Sequence, residues 1–141
     1  MDVSFVESED DLRAVYPVMR LLRPHFELRQ FCDFMSAELF PAGARLVAGF
    51  DNNAIVAAAT FRISASLAWG KYIYVDDLVT REEDRSSGYG AKLLQWLSDY
   101  GKRNGCVDLH LDSGVQRHDA HRFYLRERMD IVFYHFRKPI G

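Results

Sequence analysis

Gly88 and Gly90, two glycines one residue apart, follow Arg85-Ser86-Ser87 and open a segment in which Leu93, Leu94 and Leu97 recur at helical spacing. The apolar run just before them, residues 75–80, reads as a strand. A strand that turns through glycine into a helix leaves backbone N–H groups unpaired at the positive end of the helix dipole. Such a turn can hold a phosphate. Glycines at this spacing also serve simply to relax a tight turn, and spacing alone does not separate the two uses. The better-known phosphate loops are absent. Gly90 is followed by Ala91-Lys92-Leu93, without the Lys-Ser or Lys-Thr of a P-loop, and Leu93 stands where a dinucleotide fingerprint needs its third glycine.

Other side chains could move protons. Strand alternation over residues 71–80 predicts Tyr72, Tyr74 and Asp76 on one face, with Ile73, Val75 and Asp77 on the other. A carboxylate there could accept a proton, directly or through water, or merely end a strand near solvent. Tyr124, beside Phe123, is either a proton donor or a core aromatic. His118 and His121 sit near it, but no serine or cysteine nucleophile stands in a recognisable frame, so they read as hydrogen-bonding or surface residues. Cys106 precedes an apolar strand, where a buried cysteine is the commoner outcome than an acyl carrier. Cys32 and Cys106 make no metal spacing with the five histidines, so no metal site is expected, and a reduced cytoplasmic setting is the expectation.

These residues need a scaffold. The 141 residues, 48% hydrophobic and 27% charged, suit one folded domain over 1–141. A net charge of -2 without a basic run excludes the electrostatic footprint for wrapping nucleic acid or an anionic membrane, so phosphate recognition must be local and the ligand small. No signal peptide or membrane span is legible. In order, the pattern predicts a strand at 3–7, a helix opened by Ser8 and ended before Pro24, and a second helix over 27–39 stopped by Pro41 and Gly43. A hairpin follows, 44–50 with 54–63 around Asp51-Asn52-Asn53, then the strand 71–80, a helix 88–104 and a strand 106–111. A helix over 119–128 and a last strand over 131–137 complete the chain. The class is α/β, with a central mixed sheet and helices on both faces.

Strand, charged loop, Arg85-x-x-Gly88-x-Gly90-Ala91 and amphipathic helix together resemble the acetyl-CoA-binding motif of the GNAT superfamily of N-acetyltransferases. The resemblance extends over nearly the whole chain, through Ala120-His121-Arg122-Phe123-Tyr124 and the run Met129 to Phe133. It implies a GNAT-like acyl-CoA N-acyltransferase fold that moves the acetyl group of acetyl-CoA directly to an amine. By the same resemblance the pyrophosphate lies on the amides of Arg85, Ser86, Ser87, Gly88, Tyr89, Gly90 and Ala91. The pantetheine arm pairs with the backbone of Leu78, Val79 and Thr80, and Ser113 is a further pantetheine candidate. Tyr124 matches the tyrosine placed to protonate the coenzyme A thiolate, and Asp76 the strand residue that serves as base, with Asp77 as second choice. The bend and second helix would wall the acceptor pocket, where Phe26, Glu27, Phe34, Tyr72 and Tyr74 could clasp a cationic amine. That points to a small-molecule amine, with a protein amine and a non-catalytic acetyl-CoA sensor as alternatives. Homodimers are common among such relatives. The chain departs from the family at Arg117, where asparagine is frequent, and at Arg128, where glycine is. An arginine at a turn that prefers positive φ would be strained, so a differently built turn is expected. Arg117, Arg122, Arg126 and Arg128 could instead serve the adenosine 3′-phosphate or form a solvated face.

Overall fold

The computed structural model describes residues 1–141. Five strands, β1 (Asp2–Phe5), β2 (Arg45–Asp51), β3 (Ala54–Ser66), β4 (Gly70–Thr80) and β5 (Asp108–Leu111), form one sheet in that order. The first four pair antiparallel. Asn52 and Asn53 make the β2–β3 turn with φ of 50° and 64°. Two successive left-handed residues match the twist of the flanking strands, which is why short polar side chains stand there.

Helix α1 (Glu9–Leu22) begins at Ser8, whose Oγ accepts the Asp11 N–H at 3.1 Å, and ends one residue before Pro24 would require. Helix α2 (Leu28–Phe34) is shorter than the predicted 27–39, because residues 35–39 form a π-helical turn. Pro41 offers no N–H to the last turn. The chain instead closes through wider bonds, Phe40 N–H to the Met35 carbonyl at 2.8 Å and Ala44 N–H to that of Leu39 at 3.0 Å. Helix α3 (Tyr89–Arg103) carries the chain from β4 to β5, the helical crossover that neighbouring parallel strands need.

The chain divides into two compact units, Met1–His110 and Leu111–Gly141. In the first, helices cover both sheet faces. On one, α1 and α2 bury Leu12, Val15, Met19, Phe31 and Cys32 against Leu46, Ala48, Ala58 and Val79. On the other, Leu93 and Leu97 of α3 are buried and Trp96 and Tyr100 meet Phe61 edge-on at 6.4 and 5.3 Å. At Gly101 the helix comes so close that an added Cβ would lie 2.8 Å from Cγ2 of Ile73.

The second unit holds helix α4 (His118–Arg126). Its end corrects the expectation for Arg128. The Met129 N–H donates to the Tyr124 carbonyl at 3.0 Å and the Arg128 N–H to that of Leu125 at 3.1 Å, the paired bonds of a Schellman cap. Arg128 holds the left-handed position of this cap at φ 64°. The turn keeps its geometry and arginine accepts the strain. The predicted last strand is absent: residues 130–141 carry no regular secondary structure. A β-prone run needs a ladder partner, and this unit contains no second strand to supply one.

Candidate active site

The glycine turn takes its shape from Gly88, which caps α3 at φ 79°, ψ 10°, a conformation in which a Cβ is disfavoured. The amides predicted to face a phosphate do not all do so. Those of Arg85 and Ser87 donate to the carbonyls of Glu82 and Asp84, at 3.3 and 2.9 Å, folding the short 3₁₀ turn Glu82–Asp84. The amides that remain are Ser86 and then Gly88, Tyr89, Gly90 and Ala91, the last four ahead of the first intrahelical bond, Lys92 N–H to the Gly88 carbonyl at 3.1 Å. Ion pairs stiffen the approach: Arg81 binds Asp84 at 2.6 Å and Glu83 at 3.0 Å. Tyr89 donates its hydroxyl to Asp51, and that bond, with desolvation second, holds its proton more tightly than usual.

Leu78, Val79 and Thr80 pair with Ala59, Ala58 and Ala57 on their β3 side. On the other side β5 is anchored low, the Val107 N–H donating to the Lys71 carbonyl at 2.8 Å. Four residues of a parallel strand starting beside Lys71 reach only to about Asp76 at ~3.3 Å per residue. The upper half of β4 therefore keeps a backbone edge free to pair with an extended, amide-bearing chain.

A β-bulge re-aims the two aspartates. Thr60 pairs with Asp77 but Phe61 with Val75, leaving Asp76 as the extra residue of β4. Past the bulge the alternation flips. Tyr72, Tyr74 and Asp77 lie opposite Ser64, Arg62 and Thr60, so Asp77 shares the face of the two tyrosines rather than the opposite one that simple alternation predicts. Asp76 turns to the same side, where its two oxygens accept the Arg62 Nε and Nη2 at 2.8 and 2.9 Å. The Arg62 guanidinium also lies 5.1 Å from the Tyr74 ring centre. Asp77 accepts from Thr60 Oγ1 and from Arg23 Nε, the latter at 2.6 Å, tying the end of α1 to the sheet. Its side chain is 14% exposed, that of Asp76 36%. Asp76 is thus the more accessible carboxylate, though both its oxygens are engaged.

The acceptor residues separate into two groups. Phe26 and Phe34, with ring centres 5.4 Å apart, line an open groove of about 460 Å³ along α2, with Asp33 and Glu38 on its rim. Glu27 does not line it, and serves as the cap residue of α2, its N–H donating to Gln30 Oε1 at 3.0 Å. Tyr72 and Tyr74 belong to an aromatic cluster. Tyr72 meets Trp69 edge-on at 5.0 Å and His110 at 5.6 Å, while Trp69 and His110 stack at 3.9 Å. No local pattern in the sequence marks Trp69, His110 or Arg62 as a site residue, whereas Arg23 opens the bend expected to wall the acceptor pocket. Arg62 was within reach of a hairpin-register argument, since it lies opposite Tyr74. His110 comes from β5, and only the folded sheet brings it to Trp69.

In the second unit, burial pushes the Tyr124 hydroxyl above its ordinary value of 10.0, with Arg117 pulling the other way. It is fully protonated at neutral pH. Ser113 Oγ is buried with no hydrogen-bond partner in the protein. His121 Nε2 is 2.8 Å from the Gly114 carbonyl, and His135 Nδ1 is 2.6 Å from Asp112. Arg122 is held by Asp119 at 2.6 Å. Burial raises both thiols, Cys32 chiefly and Cys106 likewise, away from nucleophilic thiolates.

In the first unit, the amides at Gly88–Ala91 suit a phosphate and the β4 edge suits an extended, amide-bearing chain. Known proteins agree. The acetyltransferase (GNAT) family profile matches residues 8–129. An uncharacterized N-acetyltransferase of Bacillus subtilis, YhdJ, is 34% identical over 134 residues, covering 94% of each chain. The aminoalkylphosphonate N-acetyltransferase of Salmonella typhimurium is 26% identical over 133 residues, 93% of this chain and 86% of that one. A transcriptional regulator from Bacillus halodurans has the same fold, with a TM-score of 0.83 at 19% identity over 99% of this chain and 100% of the other. With a family match spanning most of its length and a relative above 30% identity end to end, this chain belongs to the GNAT acetyltransferase family and is an acetyl-CoA-dependent N-acetyltransferase.

Proposed function

We propose that this enzyme acetylates the primary amine of a small molecule, by direct transfer in a ternary complex, and that both compact units act as one catalytic domain over 1–141. The family match running through both units supports the last point. The observation that carries the acceptor reading is the face of β3 and β4 at the bulge. It offers two carboxylates, Asp76 and Asp77, and two guanidiniums, Arg62 and Arg23, beside Tyr72 and Tyr74. Carboxylates and aromatic rings receive an ammonium, and guanidiniums receive an anionic substituent. Such a set suits a compact amine that bears both charges. That a relative is an aminoalkylphosphonate N-acetyltransferase supports a small acceptor.

Acetyl-CoA supplies an acetyl group activated as a thioester. The backbone amides of Gly88, Tyr89, Gly90 and Ala91 would hold its pyrophosphate, and Leu78, Val79 and Thr80 its arm, with Ser113 as a further anchor. Arg85 and Ser87 shape the turn rather than line it with amides, and Ser86 would add its amide to the same cluster. An alkylammonium with a pKa near ~10.4 is only about a thousandth deprotonated at neutral pH, so Asp76 is assigned to orient it and take its proton once an acceptor anion draws Arg62 away. Tyr124 holds a proton at Oη for the departing sulfur. The raised thiols favour direct transfer over an acetylated cysteine.

A thiol-release assay over aminoalkylphosphonates, amino acids, plain alkylamines and peptide N-termini tests the reading. The expected result is highest kcat/KM on a small amine with an anionic group, and a rise in KM for that acceptor alone in Arg62→Ala. Turnover confined to peptides would move the acceptor to a protein amine.

A further inference from the structure

We propose that Arg23 and Asp77 form a latch that sets the bend after α1, positioning the acceptor side of the site without themselves meeting the acceptor. The inference rests on reading the β3–β4 face as the acceptor site, and it narrows that reading. Asp76 and Arg62 are left to meet the acceptor, while Asp77 and Arg23 hold each other.

Pro24 disfavours helix in the residue before it, and Arg23 leaves α1 at φ -123°, ψ 64°. From there its guanidinium forks. Nε donates to Asp77 Oδ1 at 2.6 Å and Nη2 to the Asp76 carbonyl at 3.3 Å. Asp76 is the extra residue of the bulge, and such a residue is left out of the ladder. Arginine's planar fork reaches the carboxylate and this carbonyl at once. The other Asp77 oxygen accepts from Thr60 Oγ1, and Thr60 is only 2% exposed, so its hydroxyl depends on that partner. The two ion pairs at the bulge therefore differ. Releasing Arg62 from Asp76 moves two half-exposed side chains of one hairpin. Releasing Arg23 from Asp77 disturbs a buried hydroxyl and unties the bend from the sheet. At its far end the bend is tied again, Tyr16 Oη donating to the Phe26 carbonyl at 2.7 Å. Phe26, which lines the groove along α2, goes where these two ties place it.

Steady-state kinetics and hydrogen exchange on the full chain test the latch. Arg23→Ala, Asp77→Asn and the double variant should each raise acceptor KM about tenfold, the double no more than either single, with kcat within about threefold of the parent. The rise should be equal for anionic and uncharged amines, unlike that in Arg62→Ala. With no acceptor present, the Phe26 N–H, which donates to the Arg23 carbonyl, should exchange about tenfold faster in the variants. A KM rise confined to anionic amines overturns the proposal, because Arg23 would then contact the acceptor directly. So does a fall in kcat of about 10²-fold in Asp77→Asn alone, which would make Asp77 the base. Additive effects, or exchange equal to the parent's, deny the pair a positioning role. Should Asp77→Asn not fold, Arg23→Ala, at a side chain 45% exposed, carries the same kinetic and exchange measurements. Turnover confined to peptides would overturn the acceptor reading alone, since the exchange needs no acceptor and the kinetics use whichever one turns over.

Discussion

Tyr124 and Arg128 stand four residues apart and show two fates of a side chain at the end of α4. A tyrosine whose hydroxyl is held protonated by burial suits proton donation near neutrality. Tyr124→Phe should therefore lower kcat about 10²-fold, within the ~10²–10⁴ range of general acid catalysis, while KM for acetyl-CoA stays within about twofold. Turnover equal to the parent's on the best acceptor would remove Tyr124 from the chemistry. Arg128 holds a glycine-like conformation at φ 64°. Arg128→Gly relieves the Cβ clash and should stabilise the fold by ~1 kcal/mol, less the extra chain entropy glycine brings to the unfolded state. A denaturation midpoint that falls would show that the arginine side chain contributes more than its backbone strain costs.

At the scale of elements, the β4–α3 unit joins a free strand edge to a helix start, and one residue governs each. Gly88 has open space around the position of a Cβ, so a substitution there meets no protein atom and acts through backbone strain. Gly88→Val should destabilise the turn by ~1–2 kcal/mol and raise KM for acetyl-CoA more than it lowers kcat. An unchanged KM would mean that the turn holds no part of the cosubstrate. Gly101 on the same helix faces the opposite constraint, contact with Ile73. Gly101→Val should cost about 1–3 kcal/mol by overpacking without altering KM, measured by chemical denaturation and steady-state kinetics.

For the whole molecule, stability should be lost on the alkaline side. Tyr89 and Tyr124 both titrate above 10.0 in the folded state, Tyr89 chiefly through its bond to Asp51 and Tyr124 through burial. A raised folded value means the native state keeps protons that the unfolded chain gives up. The contribution is complete below about pH 10 and disappears as pH rises through the folded values. Thermal melting across this window should show a falling Tm in the parent and a shallower fall in Tyr124→Phe, and identical slopes would refute the linkage. No helix is long and apolar enough to cross a membrane.

The elements were legible wherever their cause is local. Ser8 caps α1, Asn52-Asn53 turn the hairpin, and Gly88 with Asn104 bounds α3, because capping and left-handed turns depend on a few adjacent residues. The glycine turn before α3 was legible for the same reason, and the family resemblance followed from it. Three features needed the tertiary structure. The bulge at Asp76 is a mismatch between two strands, so neither strand's own alternation reveals that Asp77 joins the face of Tyr72 and Tyr74. Amides at Arg85 and Ser87 are consumed by carbonyls three residues back, which composition does not encode. Residues 131–137 have every local mark of a strand yet carry no regular secondary structure, since pairing is a property of two segments. By itself the sequence determined the elements whose caps and turns are local, and the glycine turn with them. Only the folded sheet decided which carboxylates share a face and which edges stay open, because both depend on register between distant segments.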